Sequence, residues 1–174
     1  LLVLGGQHDE LARLEAYLPK RLRQRLAGTF NVDLRPNLEA EVRERASAVV
    51  ESWEREDEKR RVQDLFERAA SRRPAAIGLR ECLWAATTGA VEELFVHDDA
   101  TAPGVVCPRD GWLGESAGSC PMCGTPTRPT PDVIDELVER VIDEGGSIEH
   151  VEVDTELEPQ LVGAVLRFPL PPFP

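Results

Sequence analysis

Residues 54–61 read EREDEKRR, charged at every position, inside a stretch that otherwise has helical periodicity. Upstream, Leu38, Val42, Ala46, Val49, Val50 and Trp53 share one stripe; downstream, Val62, Leu65, Phe66 and Ala69 share another. A helix with no apolar face at its middle is solvated there and spans between two packed regions. This predicts one long helical stretch opening at Pro36 and closed by SRRPA at 71–75. It also divides the 174 residues into two parts, 1–74 and 75–174, each the size of a small domain.

The parts differ in charge. Of the net −12, residues 1–74 carry +1 (15 basic, 14 acidic) and residues 75–174 carry −13 (5 basic, 18 acidic). Phosphate backbones are bound through Lys and Arg, so the second part is a poor general nucleic-acid binder and suits a basic protein surface better. Acidity that serves only solubility is the other reading. In the first part, KRLRQR offers Lys20, Arg21, Arg23 and Arg25 as RNA-contact candidates, against the alternative that these cations complement a helix C-terminus. No window approaches the ~18 consecutive apolar residues of a membrane span, and none resembles a signal peptide, so a cytoplasmic chain without a membrane partner is expected. Leu1 sits in an apolar run with no initiating Met, which suggests that the chain begins partway through a domain.

The first 35 residues read β-α-β. LLVL is a strand, Gly5 and Gly6 make a turn, and Leu11, Leu14, Tyr17 and Leu18 mark a helix that Pro19 interrupts. Leu22 and Leu26 continue a helical turn ended by Gly28, and Phe30, Val32 and Leu34 alternate as a half-buried strand. In the second part, Leu79, Cys82, Leu83 and Ala86 form a helix capped at Gly89, followed by the strand AVEELFVHD. Residues 99–131 break pattern and read as a loop-rich insertion. Thr130 and Pro131 then offer an N-cap and first position for the stripe Val133, Ile134, Leu137, Val138, Val141 and Ile142, stopped at Gly145–Gly146. SIEHVEV and GAVLRFPL are strands, and the tail PLPPFP is either frayed or packed as an extended end. Alternating helices and strands argue for an α/β sandwich.

CPRDG at 107–111 and CPMCG at 120–124 repeat one template thirteen residues apart. Cys-x-x-Cys closing on Gly turns the backbone so that both sulfurs face one tetrahedral ion, as in the knuckles of a zinc ribbon. Asp110 takes the second ligand position of the first knuckle, and a carboxylate oxygen also binds zinc. Cys107, Asp110, Cys120 and Cys123 can therefore make a four-coordinate structural zinc site in an insertion with little apolar material of its own. The alternative is that the aspartate abolished metal binding and left reduced thiols. A disulfide is disfavoured in a cytosolic chain, and redox catalysis at Cys120 and Cys123 needs a helix opening after a strand where this sequence reads as a turn. Cys82 belongs to an apolar helix stripe, and His97 is a reserve ligand.

Gly5-Gly6-Gln7 spells the tripeptide with which peptide-chain release factors hydrolyse peptidyl-tRNA. A residue that activates water among RNA phosphates needs a mobile tip and basic flanks; here the flanks are an apolar strand and HDEL, whose acids suit a helix N-terminus. The residues themselves favour a turn.

The order of these elements resembles the archaeal and eukaryotic class-1 release factor family. LVLGGQHDELARLEAYLPKRLRQRLAGTFNVD is similar to the later half of its middle domain. IGLRECLWAATTGAVEELFVHDD, the insertion with CPMCG, LVERVIDEGGSIEHVEV and LVGAVLRFPL are similar to its C-terminal domain, with Gly89-Ala90-Val91-Glu92 and Ala164-Val165-Leu166-Arg167-Phe168 the most specific pieces. In that family the hydrolytic Gly-Gly-Gln lies in an earlier basic loop, so the resemblance implies that Gly5, Gly6 and Gln7 are a turn and that any catalytic loop lies upstream. It implies a partial ribonuclease-H-like middle domain joined by a long helix to an α/β sandwich resembling kink-turn-binding ribosomal proteins, with a small zinc-ribbon-like insertion. It further implies a non-enzymatic, ribosome- or translation-associated factor, with ribosome or tRNA met by the first part and a protein, a translational GTPase in the relatives, docked by the second. The alternative is a peptidyl-tRNA hydrolase whose catalytic loop lies at or upstream of the N-terminus.

Overall fold

A computed structural model describes residues 1–33, 35 and 38–173. Leu34 and Pro36, which the sequence pattern places at a strand end and a helix start, lie outside the described residues. Contacts divide the chain into two compact units, Leu1–Asp57 and Glu58–Pro174.

In the first unit, β1 (Leu2–Gly6) pairs in parallel with β2 (Leu26–Asn31), with Gly5 opposite Phe30 and Gly6 opposite Asn31. Parallel pairing requires a crossover, supplied here by α1 (His8–Tyr17) and the short α2 (Lys20–Arg23). Pro19 ends α1 as expected, because the residue before a proline is pushed out of the helical region; Leu18 has φ −62° and ψ 128°. Two expectations need correction. Leu26 belongs to the strand and not to a helical turn, because its backbone is opposite Leu2. Gly5 and Gly6 are strand residues and not a turn: glycine at position 5 leaves room for the Phe30 ring, whose far end a Cβ there would approach to 2.4 Å and displace.

A single helix, α3 (Glu39–Ala70), runs through EREDEKRR, so the boundary between units falls inside it, ahead of the helix end at which the sequence places it. Its first half packs on β2, where Arg45 Nη1 donates to Asn31 O at 2.6 Å. Its last turns bury Val62 and Leu65 in the second unit.

The second unit is built on a four-stranded sheet in the order β3-β9-β4-β8. The strands are β3 (Ala75–Ile77), β9 (Val162–Leu166), β4 (Val91–His97) and β8 (Ser147–Val151). β9 runs antiparallel to both neighbours, and β4 runs parallel to β8. Alternation along β4 sends Leu94 and Val96 into a cluster with α4 (Leu79–Thr87) and α5 (Val133–Asp143), and Phe95 into a second cluster with Val62, Leu65, Val151 and Leu157. The sheet is covered on both faces, the α/β sandwich the sequence predicts.

The N-cap of α5 is Asp132 and not Thr130: its side chain accepts from Ile134 N at 2.9 Å, while Thr130 is still paired with Gly104 in a strand. Ile142, expected on the buried stripe, is exposed. The insertion carries its own antiparallel sheet, β6-β5-β7, from Leu113–Gly114, Gly104–Val106 and Arg128–Thr130.

Candidate metal centre

The two cysteine knuckles close on one point. One ligand atom from each of Cys107, Asp110, Cys120 and Cys123 lies within 4.8 Å of every other. Cys107 Sγ is 3.5 Å from Cys123 Sγ, and Cys120 Sγ is 3.5 Å from both Asp110 carboxylate oxygens. Zn–S bonds of about 2.3 Å place two tetrahedral sulfurs about 3.8 Å apart, so the donors stand at the spacing one zinc ion needs.

The local backbone explains why the template ends in glycine. Gly111 N donates to Cys107 O at 2.9 Å and Gly124 N to Cys120 O at 2.8 Å, the same tight turn twice. Both glycines are left-handed, with φ +73° and +74°, a region in which a side chain is strained. Each turn is tied from outside: Cys107 N donates to Trp112 O and Cys120 N to Thr125 O, both at 2.8 Å. Cys107 and Cys120 are buried, and Asp110 stands at the open side.

Hydrogen bonds from the Cys107 thiol, then from Cys123 and from the Trp112 backbone N–H, hold the Asp110 carboxyl well below the usual carboxylate range. Burial pushes the Cys120 thiol up to about 11. The set thus pairs a standing negative charge with a thiol that keeps its proton until something stronger displaces it, and a divalent cation is such a group. All four cysteines are free. Four protein donors are the count a structural zinc site uses, where a catalytic one keeps three and an open position.

His97 stands apart from this group; it ends β4, where its backbone N–H donates to Leu161 O. Cys82 is fully buried in the core. The sequence reading missed Arg140 of α5, whose Nη2 donates to Gly111 O at 2.7 Å and ties the first knuckle to the helix. A cation on the polar side of an amphipathic helix gives no signal of its own.

In the first unit, Gln7 is the N-cap of α1, directly after β1, with φ −76° and ψ 144°. Arg23 Nη2 lies 3.1–3.4 Å from the carbonyl oxygens of Glu15, Ala16 and Leu18 and so caps the end of α1. Lys20, Arg21 and Arg25 are exposed. No helix among the described residues is long and apolar enough to cross a membrane.

No family model and no curated protein matches the chain. Solved structures do. The C-terminal domain of a peptide chain release factor from Methanosarcina mazei aligns over 79% of this chain and 98% of its own, at 22% identity and a TM-score of 0.53. The chain has the fold of a release-factor C-terminal domain. Dom34 from S. cerevisiae, described as a translation termination-like factor involved in RNA quality control pathways and interacting with Hbs1, aligns over 97% of this chain at 15% identity and a TM-score of 0.55. An archaeal Pelota, from a model of ribosome-bound Pelota and ABCE1, aligns over 97% at 19% identity and a TM-score of 0.55. The chain spans just under half the length of these last two, 47% and 43%.

Proposed function

We propose that the chain is the later portion of a cytoplasmic translation factor of the release or rescue type, with no catalytic residue of its own. The reading is carried by the alignment with Dom34 and Pelota, which takes in both units in one order and so matches an arrangement of elements beyond one sandwich domain. The first unit meets the ribosome or its tRNA through Lys20, Arg21 and Arg25, the exposed cations of KRLRQR, while Arg23 is occupied in capping α1. The acidic second part docks a protein with a basic face, as Dom34 interacts with Hbs1, and a translational GTPase is the class that the family resemblance implies. Gln7 serves as a helix N-cap position and does not enter a peptidyl-transfer centre.

Cys107, Asp110, Cys120 and Cys123 hold a structural zinc ion. The donors fit it in kind and spacing, and zinc there crosslinks the two turns.

The experiment is co-sedimentation with ribosomes across a salt series. Binding at low salt that falls steeply as salt rises, and weakens when Lys20, Arg21 and Arg25 are replaced together by Gln, is expected of phosphate contacts. Absence of co-sedimentation at low salt rejects ribosome association.

A further inference from the structure

The tail after β9 is seated on the protein in a recognisable way. Trp84 of α4 donates from its indole Nε1 to Pro171 O at 2.8 Å. Its ring stacks on Phe173 with centroids 5.4 Å apart, and the guanidinium of Arg80 lies 4.9 Å from the centre of the same Phe173 ring. Among the described residues, that indole bond is the one hydrogen bond made by residues 168–173. An indole N–H given to a proline carbonyl, beside an aromatic platform, is how extended proline-rich segments are read. Proline pre-orders the segment, its carbonyls stay free to accept, and rings supply the contact.

The groove is larger than its occupant. Phe173 remains 46% exposed, while Trp84 beneath it is only 6% exposed. On one side of the tail a cavity of about 430 Å³ continues past Trp112, Glu115 and Pro121. On the other a depression of about 560 Å³ is flanked by Arg72 and Arg73, which make no ion pair among the described residues. Three arginines, 72, 73 and 80, border this groove against two acids, Glu81 and Glu115, a cationic balance in a part of the molecule that is otherwise strongly acidic. Their field favours a peptide with carboxylates beside its proline-aromatic core, a feature residues 168–174 lack.

We propose that the face of α4 around Trp84 is a docking site for an extended, acidic, proline- and phenylalanine-bearing peptide segment of a partner protein, held in cis by residues 169–173 until that segment displaces them. A tethered tail competes at high effective concentration, so the partner segment sees the site only at a discount. This proposal does not depend on the docking invoked above for the acidic second part; it rests on the seating of the tail and on the arginine-bordered groove beside it.

The test uses the full chain and a fluorescent peptide of sequence RFPLPPFP, followed by anisotropy. In the variant Phe173→Ala the tail loses its aromatic anchor, and the peptide is expected to bind about tenfold or more tightly than to the unaltered chain. Adding Trp84→Phe, which keeps an aromatic ring but removes the indole N–H, is expected to weaken that binding about tenfold. Appending two aspartates to the peptide is expected to tighten it, and Arg72→Gln with Arg73→Gln to cancel the gain. Limited proteolysis of the tail provides a second readout that needs no ligand: cleavage after Arg167 is expected to be faster in Phe173→Ala. The proposal is overturned if Phe173→Ala binds the peptide no better than the unaltered chain, if a scrambled peptide binds equally well, or if a short RNA occupies the arginine-bordered groove in place of the peptide.

Discussion

The molecule contains the same local motif twice, in different company. β1 and β2 are parallel strands joined through α1 and α2, and β4 and β8 are parallel strands joined through a connection that includes α5. Around β4 and β8 the sheet extends by β9 and β3, and helices cover both faces, so Leu94, Phe95 and Val151 are sealed from solvent. Around β1 and β2 no third strand pairs among the described residues, and the buried apolar side chains of that unit are Leu11 and Val32, each still 6% exposed. A two-stranded sheet with so small a core is marginal, whereas four strands sealed between helices are self-sufficient. Local sequence sets the motif; the surroundings set its stability.

The comparison can be pressed at its strongest point first. Phe95→Ala removes the ring that fills the α3 face of the sandwich and is expected to cost about 3–5 kcal/mol, read from denaturant unfolding of the second unit. Leu11→Ala in the first unit is expected to abolish hydrogen-exchange protection of β1 and β2 while leaving β4 and β9 unchanged. Equal loss of protection in both units would show that they unfold as one and break the contrast.

The insertion has a cluster of metal-type donors that the rest of the sandwich lacks among the described residues. Purified protein never exposed to chelator is expected to carry about one zinc per chain, and Cys120→Ser to carry well below that by elemental analysis while the sandwich keeps its unfolding midpoint. The metal-free Cys120 thiol is raised to about 11 and so is protonated at neutral pH. Zinc must displace that proton, and affinity therefore rises with pH, by about tenfold per unit for this one group over the neutral range. A pH-independent affinity would mean that Cys120 is not a ligand.

Smaller effects separate local from tertiary control. Asp132→Ala removes the α5 cap and is expected to cost about 1 kcal/mol, and Thr130→Ala less. The smallest effect is expected at Gln7: in a full-length protein competent for peptidyl-tRNA hydrolysis, Gln7→Ala is expected to leave the rate unchanged. A large loss there would reinstate the hydrolase reading.

Much of the architecture was legible because periodicity reports which face of an element is buried. The stripes of α3 and α5, the Pro19 stop, the left-handed Gly89 and Gly145 and the alternation in β4 are all local facts. The clustering of Cys107, Asp110, Cys120 and Cys123 was legible for the same reason: a knuckle is a short-range turn, and two copies of one template announce each other. The errors fell where two local choices were equally good and a distant partner decided. Thr130 and Asp132 are both competent caps, but Thr130 is held by Gly104 in a strand. Gly5 and Gly6 can turn or extend, and they extend because β2 lies beside them.

By itself, then, the sequence determined the elements, the acidic second part, the long helix through a charged run and the identity of the four metal-type donors, since each depends on neighbours within a few turns of chain. Only the tertiary structure decided that Arg140 clamps a knuckle, that Arg23 is spent on capping and that Trp84 holds the tail. Those contacts join residues from 5 to 87 positions apart, and no local pattern encodes which distant group will arrive.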